Sequence, residues 1–259
     1  MRRLFAIGLI LIMFAPAVYA EDKQSEATMM VQSAREISDV RKPGNAPFRL
    51  EARLSLSENG ATKTGEYLEI WVSPKQWRRE ITLPDYHFLE VKDPSDEKHS
   101  WVIESPGWIN PRELLTLLRL TDLDTEEFKV KKVFQKQRDG LNLSCFEAKE
   151  GHGSQTTCFQ ADSKILQSVE GSYYGTKQHR EYLDYSPFTG SNFPRLMRSQ
   201  SKDTSIEISV TKLIPEPNYD AALLLPPPSA EHRPTCKKPA FPKEKFAPEP
   251  DYPKGGSGS

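Results

Sequence analysis

Apolar and polar residues alternate along residues 65–83, and this pattern predicts a β-hairpin. The run reads GEYLEIWVSPKQWRREITL, with Pro74 in the middle. Proline cannot donate a hydrogen bond to a strand ladder, so the turn is expected at Ser73-Pro74-Lys75. A period of two is typical of an antiparallel strand with one face on a core. The first strand then places Leu68, Ile70 and Val72 on one face and Glu69 and Trp71 on the other.

The same alternation predicts strands along most of the chain. One strand precedes the hairpin and is separated from it by the turn Asn59-Gly60. Nine strands follow the hairpin, separated by turns such as Asp139-Gly140. Their predicted ranges are Phe48–Leu56, His87–Val91, Ser100–Glu104, Phe128–Arg138, Leu141–Ala148, Gln155–Gln160, Ile165–Ser172, Gln178–Tyr185, Pro194–Ser201 and Ser205–Ile214.

Two helices interrupt this series. Apolar residues at helical spacing predict one over Gln24–Val40, which ends before Pro43-Gly44. Asn110-Pro111 has the sequence of a second helix start, an Asn cap followed by Pro at the first helical position. The second helix is leucine-rich on more than one side, which favours burial against the sheet.

These elements predict a mainly β protein with two or three helices. So many strands in hairpin order indicate a large, curved antiparallel meander. We expect the sheet to form an incompletely closed β-barrel with the helices at its mouth.

The two ends of the chain differ in composition from this patterned region. Residues 1–20 have basic residues, an apolar run and small residues before Glu21, which predicts a signal peptide and a periplasmic or secreted protein. Residues 21–214 form the predicted β domain. More than half of the 21 prolines follow it, so residues 215–253 are expected to form a proline-rich tail, with a Gly/Ser linker at residues 254–259.

The net charge of the chain excludes nucleic acid as an expected partner. A formal net charge of −1 gives no electrostatic footprint for nucleic acid.

Three cysteines in an exported chain suggest one disulfide and one remaining cysteine. Cys145 and Cys158 lie symmetrically about the predicted turn at Gly151-His152, so a hairpin there would place them opposite each other. Cys236 lies alone in the tail, as a free thiol or paired with another chain.

Short catalytic motifs are missing from the sequence. It has no GxSxG elbow, no HExxH, no phosphate-binding glycine loop and no GxGxxG after a strand. The five histidines are scattered, and His179 shares a strand face with Glu181 but not with Asp184. We therefore predict no catalytic residue, no metal site, no cofactor and no enzymatic activity.

Apolar surface remains as the candidate functional feature. All four tryptophans lie between residues 71 and 108. Core packing is one interpretation of them. The other is an apolar groove for an acyl chain, since the mouths of β-barrels are common ligand sites. The predicted groove residues are Leu54, Leu68, Ile70, Trp71, Trp77, Trp101, Leu114 and Leu118.

The order of elements and the strand ending SPKQWRREI resemble the LolA/LolB-like lipoprotein-carrier fold over residues 21–214. In that fold an unclosed β-barrel with helices in its mouth carries lipoprotein acyl chains across the periplasm. The resemblance implies a periplasmic binding protein with a lipid or acyl-chain ligand.

A second resemblance is to the N-terminal periplasmic domain of some TonB-family energy-transducer-like proteins. The similar segments are residues 37–54, 67–81, 145–162 and 185–197, and CKKP and PEPDYP in the tail resemble the lead-in to a TonB C-terminal domain. This resemblance does not supply the role of the domain. The alternative function that we consider is a non-catalytic interaction module of a TonB-like cell-envelope assembly, which meets a partner protein through its proline-rich tail.

Overall fold

A computed structural model describes residues 15–105, 111–119, 129–150, 153–173 and 176–235. It contains two α-helices, α1 (Ala15–Ser38) and α2 (Pro111–Leu118), and a 3₁₀ turn at Ala221–Leu224. The first five strands are β1 (Phe48–Glu58), β2 (Ala61–Ser73), β3 (Gln76–Leu83), β4 (Tyr86–Lys92) and β5 (His99–Glu104). The other eight are β6 (Lys129–Arg138), β7 (Leu141–Glu150), β8 (Gly153–Gln160), β9 (Leu166–Tyr173), β10 (Thr176–Phe188), β11 (Ser191–Gln200), β12 (Thr204–Pro215) and β13 (Glu231–Pro234).

All thirteen strands belong to one antiparallel sheet, in the order β13-β5-β4-β3-β2-β1-β12-β11-β10-β9-β8-β7-β6. The two halves of this sheet, β1–β5 and β6–β12, are joined by β1 and β12. These two strands pair from Phe48 with Pro215 to Glu58 with Thr204. The mainly β, antiparallel prediction is confirmed.

The sheet is open rather than closed. Among the described strands, β6 and β13 have a neighbour on one side only, and the pairing does not close into a barrel. Of the predicted incompletely closed β-barrel, the open antiparallel sheet is confirmed, and closure into a barrel is not observed. The number of strands in a meander does not determine whether its outermost strands meet, because that pairing joins residues distant in sequence.

Local turn chemistry agrees with the prediction. Asn59-Gly60 and Asp139-Gly140 each have two consecutive positive φ angles, 50° and 84° in the first and 52° and 78° in the second. A two-residue hairpin turn of this kind matches the twist of its strands, and glycine adopts the required φ without strain.

One face of the sheet carries the main hydrophobic core, which includes Leu54, Trp71 and Trp77. This face is called here the inner face. Helix α1 contacts β6 and β11, and α2 contacts β11. The prediction of two helices packed on the sheet is confirmed, although α1 begins at Ala15, before the predicted Gln24. The predicted cleavage point after residue 20 lies within this helix, and residues 1–14 lie outside the described residues.

The predicted disulfide is present on the opposite, outer face. Cys145 and Cys158 are register partners on β7 and β8, their Cα atoms 4.1 Å apart, and they are bonded to each other. Leu143 and the partly buried Phe134 complete a small apolar cluster around them. Cys236 lies outside the described residues.

The chain after residue 214 contributes to the fold. It crosses the sheet from β12 to β5, contacts β3 through the 3₁₀ turn and adds β13 to the edge. This segment of residues 216–235, called here the strap, lies within the predicted tail. The extra strand was missed because it is four residues long and ends in proline, which is a weak sequence signal.

Candidate functional site

The inner face beneath α2 is the candidate site because it brings five of the eight predicted groove residues together. All five belong to the main core cluster: Leu54, Trp71, Trp77, Leu114 and Leu118. Helix α2 supplies four buried leucines, Leu114, Leu115, Leu117 and Leu118, from eight residues. Helix α2 thus packs its apolar side chains into the same core as the inner face of the sheet, where it contacts β11.

Aromatic rings occupy the sheet side of this site. Trp71 stacks on Phe48 with ring centroids 5.4 Å apart, and Phe48 meets Phe188 edge-on at 5.9 Å. All three residues are buried. These contacts link β2 and β1 to β10, so the aromatic cluster spans the junction of the two sheet halves.

An ion pair that the sequence analysis missed lies beside α2. Arg41, in the chain between α1 and β1, donates to Glu69 of β2 through Nε at 2.8 Å and Nη2 at 2.5 Å. Tyr67 donates its hydroxyl to the same carboxylate at 3.0 Å. Arg41 also donates to the carbonyl of Leu118 at 3.2 Å, which satisfies a backbone acceptor at the end of α2.

A second buried ion pair lies on the next two strands. Arg79 of β3 donates through Nε to Glu90 of β4 at 2.8 Å, and both residues are almost fully buried. The Arg79 guanidinium also lies over the Trp77 ring, 4.3 Å from its centroid. Because Glu69 and Arg79 are register partners, the two ion pairs adjoin.

Pairing keeps the Arg41, Glu69 and Arg79 side chains in their charged forms. Burial alone would raise the pKa of Glu69, but Arg41 above all, and Arg79, lower it below its ordinary value. Burial alone would lower the pKa of Arg79, but Glu90 above all raises it. Burial raises the pKa of Tyr67, so its hydroxyl keeps the proton it donates to Glu69.

Sequence patterning gave one clue to these charges. Glu69 and Arg79 occupy the same strand faces as Trp71 and Trp77, and those tryptophans are buried. A charged residue at an inward position is expected to be paired, because an isolated charge is expensive to bury. The partners could not be read from the sequence.

Three predicted groove residues lie elsewhere. Leu68 and Ile70 occupy the outer face of β2, since strand residues alternate. Leu68 is partly exposed and lines an outer groove of about 480 Å³ with mainly charged neighbours, including Arg49, Arg53 and Glu66. Ile70 is buried outside the main core, on the face that the strap crosses. Trp101 of β5 packs on His232 of β13, with ring centroids 4.6 Å apart.

A second outer groove, of about 840 Å³, lies over β7–β11 and is lined mainly by polar side chains. Here His179 and Glu181 share a face as predicted, and His179 Nε2 lies 3.0 Å from Glu181 Oε1. Arg138 binds the same oxygen at 3.0 Å, so the carboxylate has two partners. Within the described ranges, no group of three or more His, Cys, Asp or Glu residues is arranged to hold a metal ion.

The comparisons with known proteins concern the fold. No protein-family profile matches the chain, and a search of curated proteins finds no match. Among solved structures, a LolA superfamily protein from Nitrosomonas europaea is 12% identical, with a TM-score of 0.51 over 77% of this chain and 97% of that one.

Two further structures give the same result. An outer membrane lipoprotein-sorting protein domain from Vibrio parahaemolyticus is 10% identical, with a TM-score of 0.53 over 80% of this chain and 100% of that one. A DUF1329 family protein from Desulfovibrio piger is 12% identical, with a TM-score of 0.51 over 80% and 97%. The comparisons give no support to TonB-family membership. The chain has a LolA-like fold.

Proposed function

We propose that this protein is a non-catalytic periplasmic binding protein that holds an apolar or lipid-like acyl ligand on the inner face of its sheet. The observation that carries the proposal is the burial of α2, an eight-residue helix whose four described leucines all lie in the core. The LolA-like fold supports it, since one structure of that fold is a lipoprotein-sorting protein domain.

Helix α2 occupies the position proposed for the ligand. A helix of this length is marginal on its own, so its stability depends on the surface it covers. Each buried leucine contributes roughly 1.5–3 kcal/mol of transfer free energy. An acyl chain in the same place would bury comparable apolar area, so exchanging α2 for a ligand has a small net free energy.

The cellular location is part of the proposal. The signal-peptide pattern of residues 1–20 supports export, and the Cys145–Cys158 disulfide fits an oxidising compartment. Within the part of the chain that the structure describes, no helix is both long and apolar enough to span a membrane.

Two tryptophans of the predicted groove provide a matched test. Trp77 lies on the inner face and Trp101 on the outer face. With a fluorescent fatty acid as probe, Trp77→Ala is expected to weaken binding about ten-fold, whereas Trp101→Ala leaves it within about two-fold; a tenfold change corresponds to 1.4 kcal/mol. Circular dichroism and urea unfolding report whether each variant is folded. Equal loss in both variants would place the ligand elsewhere.

The ligand class is tested on the unmodified protein. Native mass spectrometry of protein purified from the periplasm, followed by organic extraction, is expected to show a bound acyl species. A clean apo mass and no uptake of added fatty acid would overturn the proposal and favour the alternative, a protein-interaction module of a cell-envelope assembly. The contacts of β13 with the sheet edge favour that alternative as a second candidate.

A further inference from the structure

Strand β13 is attached to the sheet more weakly than the other strands. It has four residues, it pairs only with β5, and none of its side chains is buried. Its pairing covers His99–Val102 and stops two residues before β5 ends at Glu104. A strand with no buried side chain depends on backbone hydrogen bonds, polar contacts and the packing of the His232 ring on Trp101.

The polar contacts of β13 are specific in charge. His232 Nε2 lies 3.0 Å from Asp93 Oδ2, and the His232 ring packs on Trp101. Arg233 donates to Glu104 at 3.1 Å. This edge of the sheet therefore offers two carboxylates and an aromatic ring to the strand beside it.

The strap is anchored separately from β13. Leu224 is buried, and Arg78 of β3 donates to the carbonyl of Leu223 at 3.2 Å. Pro226-Pro227-Pro228 then separate this anchor from Glu231. Thr235, which follows β13, donates its backbone N–H to the carbonyl of Lys98 at 2.7 Å. With the 3₁₀ turn fixed on β3, β13 and Thr235 can leave the sheet edge together while the turn stays in place.

We propose that the edge of β5 is a docking site for an extended basic peptide of a partner protein, and that β13 occupies this site until the partner displaces it. Peptides bind sheet edges by adding a strand, with backbone hydrogen bonds for affinity and alternate side chains for specificity. Asp93, Trp101 and Glu104 select a ring-bearing residue followed by arginine, as in His232-Arg233. The carboxylates exclude an acidic segment.

The energetics permit the exchange. The Arg233–Glu104 ion pair is partly exposed and adds little stability, and an isolated pair of short strands is marginal. β13 remains bound because its tether gives it an effective concentration in the millimolar range. A partner strand that also pairs with Ile103 and Glu104 would make more backbone bonds than β13 does.

Two variants of the full chain, both with Cys236→Ser, test the site. The first releases β13 by His232→Gly and Arg233→Gly. The second locks it by His99→Cys and Pro234→Cys, which replace register partners. The probe is a fluorescent peptide with the sequence of residues 229–235 and the change Glu231→Ala, SAAHRPT, so that arginine is its charged side chain. We expect the released chain to bind it at least ten-fold more tightly than the unmodified chain, and the locked chain to bind only after reduction.

Charge reversal tests the specificity. A peptide with glutamate in place of arginine is expected to lose binding to the released chain, and Glu104→Arg to restore it. The proposal is overturned if the folded released chain does not bind the peptide or if locked and released chains bind equally. It is also overturned if release gives a dimer by size exclusion, because the occupant would then be a second copy. If the released chain does not fold, the locked chain before and after reduction decides.

Discussion

The two halves of the sheet use different chemistry to build one core. The first half buries five charged residues, which are all the buried charges among the residues that the structure describes: Glu69, Arg79, Glu90, Lys92 and Asp93. The second half buries no charged residue among those described. Its inner face carries Phe146 and Phe159, 6.2 Å apart, with Phe193 and Met197, and its buried polar side chains, such as Thr157, are neutral.

This difference determines how each half responds to change. A buried ion pair is stable only with both partners in place, because the remaining charge is desolvated without compensation. An apolar face tolerates substitutions that conserve volume. We therefore expect substitutions at buried positions to destabilise the first half more than the second. The second half, which also contains the Cys145–Cys158 disulfide, should tolerate them better.

The largest expected effect is the loss of one partner from the Arg79–Glu90 pair. Arg79→Met leaves Glu90 buried without its guanidinium, and it should destabilise the protein by about 3–5 kcal/mol in urea unfolding. The double change Arg79→Met and Glu90→Leu should recover most of that loss. As a matched control in the second half, Met197→Leu should cost less than about 1.5 kcal/mol. If the single and double variants were equally unstable, pairing would not be the cause.

The next largest effect is expected from removal of the Cys145–Cys158 disulfide in the second half. Replacing Cys145 and Cys158 together by alanine opens a loop with a sequence separation of 13. The chain-entropy model predicts that the free energy of unfolding falls by about 3 kcal/mol, which is measured as a lower urea midpoint. Cys236→Ser serves as the control and should leave the midpoint unchanged. Fatty-acid binding should persist in both variants, because the disulfide lies on the outer face.

The smallest effect is the pH dependence that Glu69 of the first half contributes. The pKa of Glu69 is lower in the folded protein than in the unfolded chain, so the unfolded chain binds the proton more tightly. The stability that Glu69 contributes is present above its unfolded pKa, near 4.3, and is lost as pH falls through the folded value. The free energy of unfolding should therefore decrease below about pH 4.3, and that of the Glu69→Gln variant should decrease less steeply. Parallel curves would assign the acid sensitivity to other carboxylates.

Features that depend on local sequence were predictable. Alternation located the strands, glycine-containing turns located their ends, and the symmetric spacing of Cys145 and Cys158 about a turn predicted their bond. These features follow from the backbone conformation of a few consecutive residues. The alternation also separated Leu68 and Ile70 from Trp71, although the predicted groove combined both faces.

Contacts between distant segments were decided only by the tertiary structure. Two of these contacts, the pairing of β1 with β12 and the addition of β13 to β5, join residues far apart in the chain. Whether the outermost strands β6 and β13 also pair, and so close the sheet, depends on contacts of the same kind. The ion pair between Arg41 and Glu69 also depends on where a loop and a strand meet after folding. Hydrophobic pattern specifies which residues of a strand are buried, but it carries no information on which strand, helix or charge lies against them.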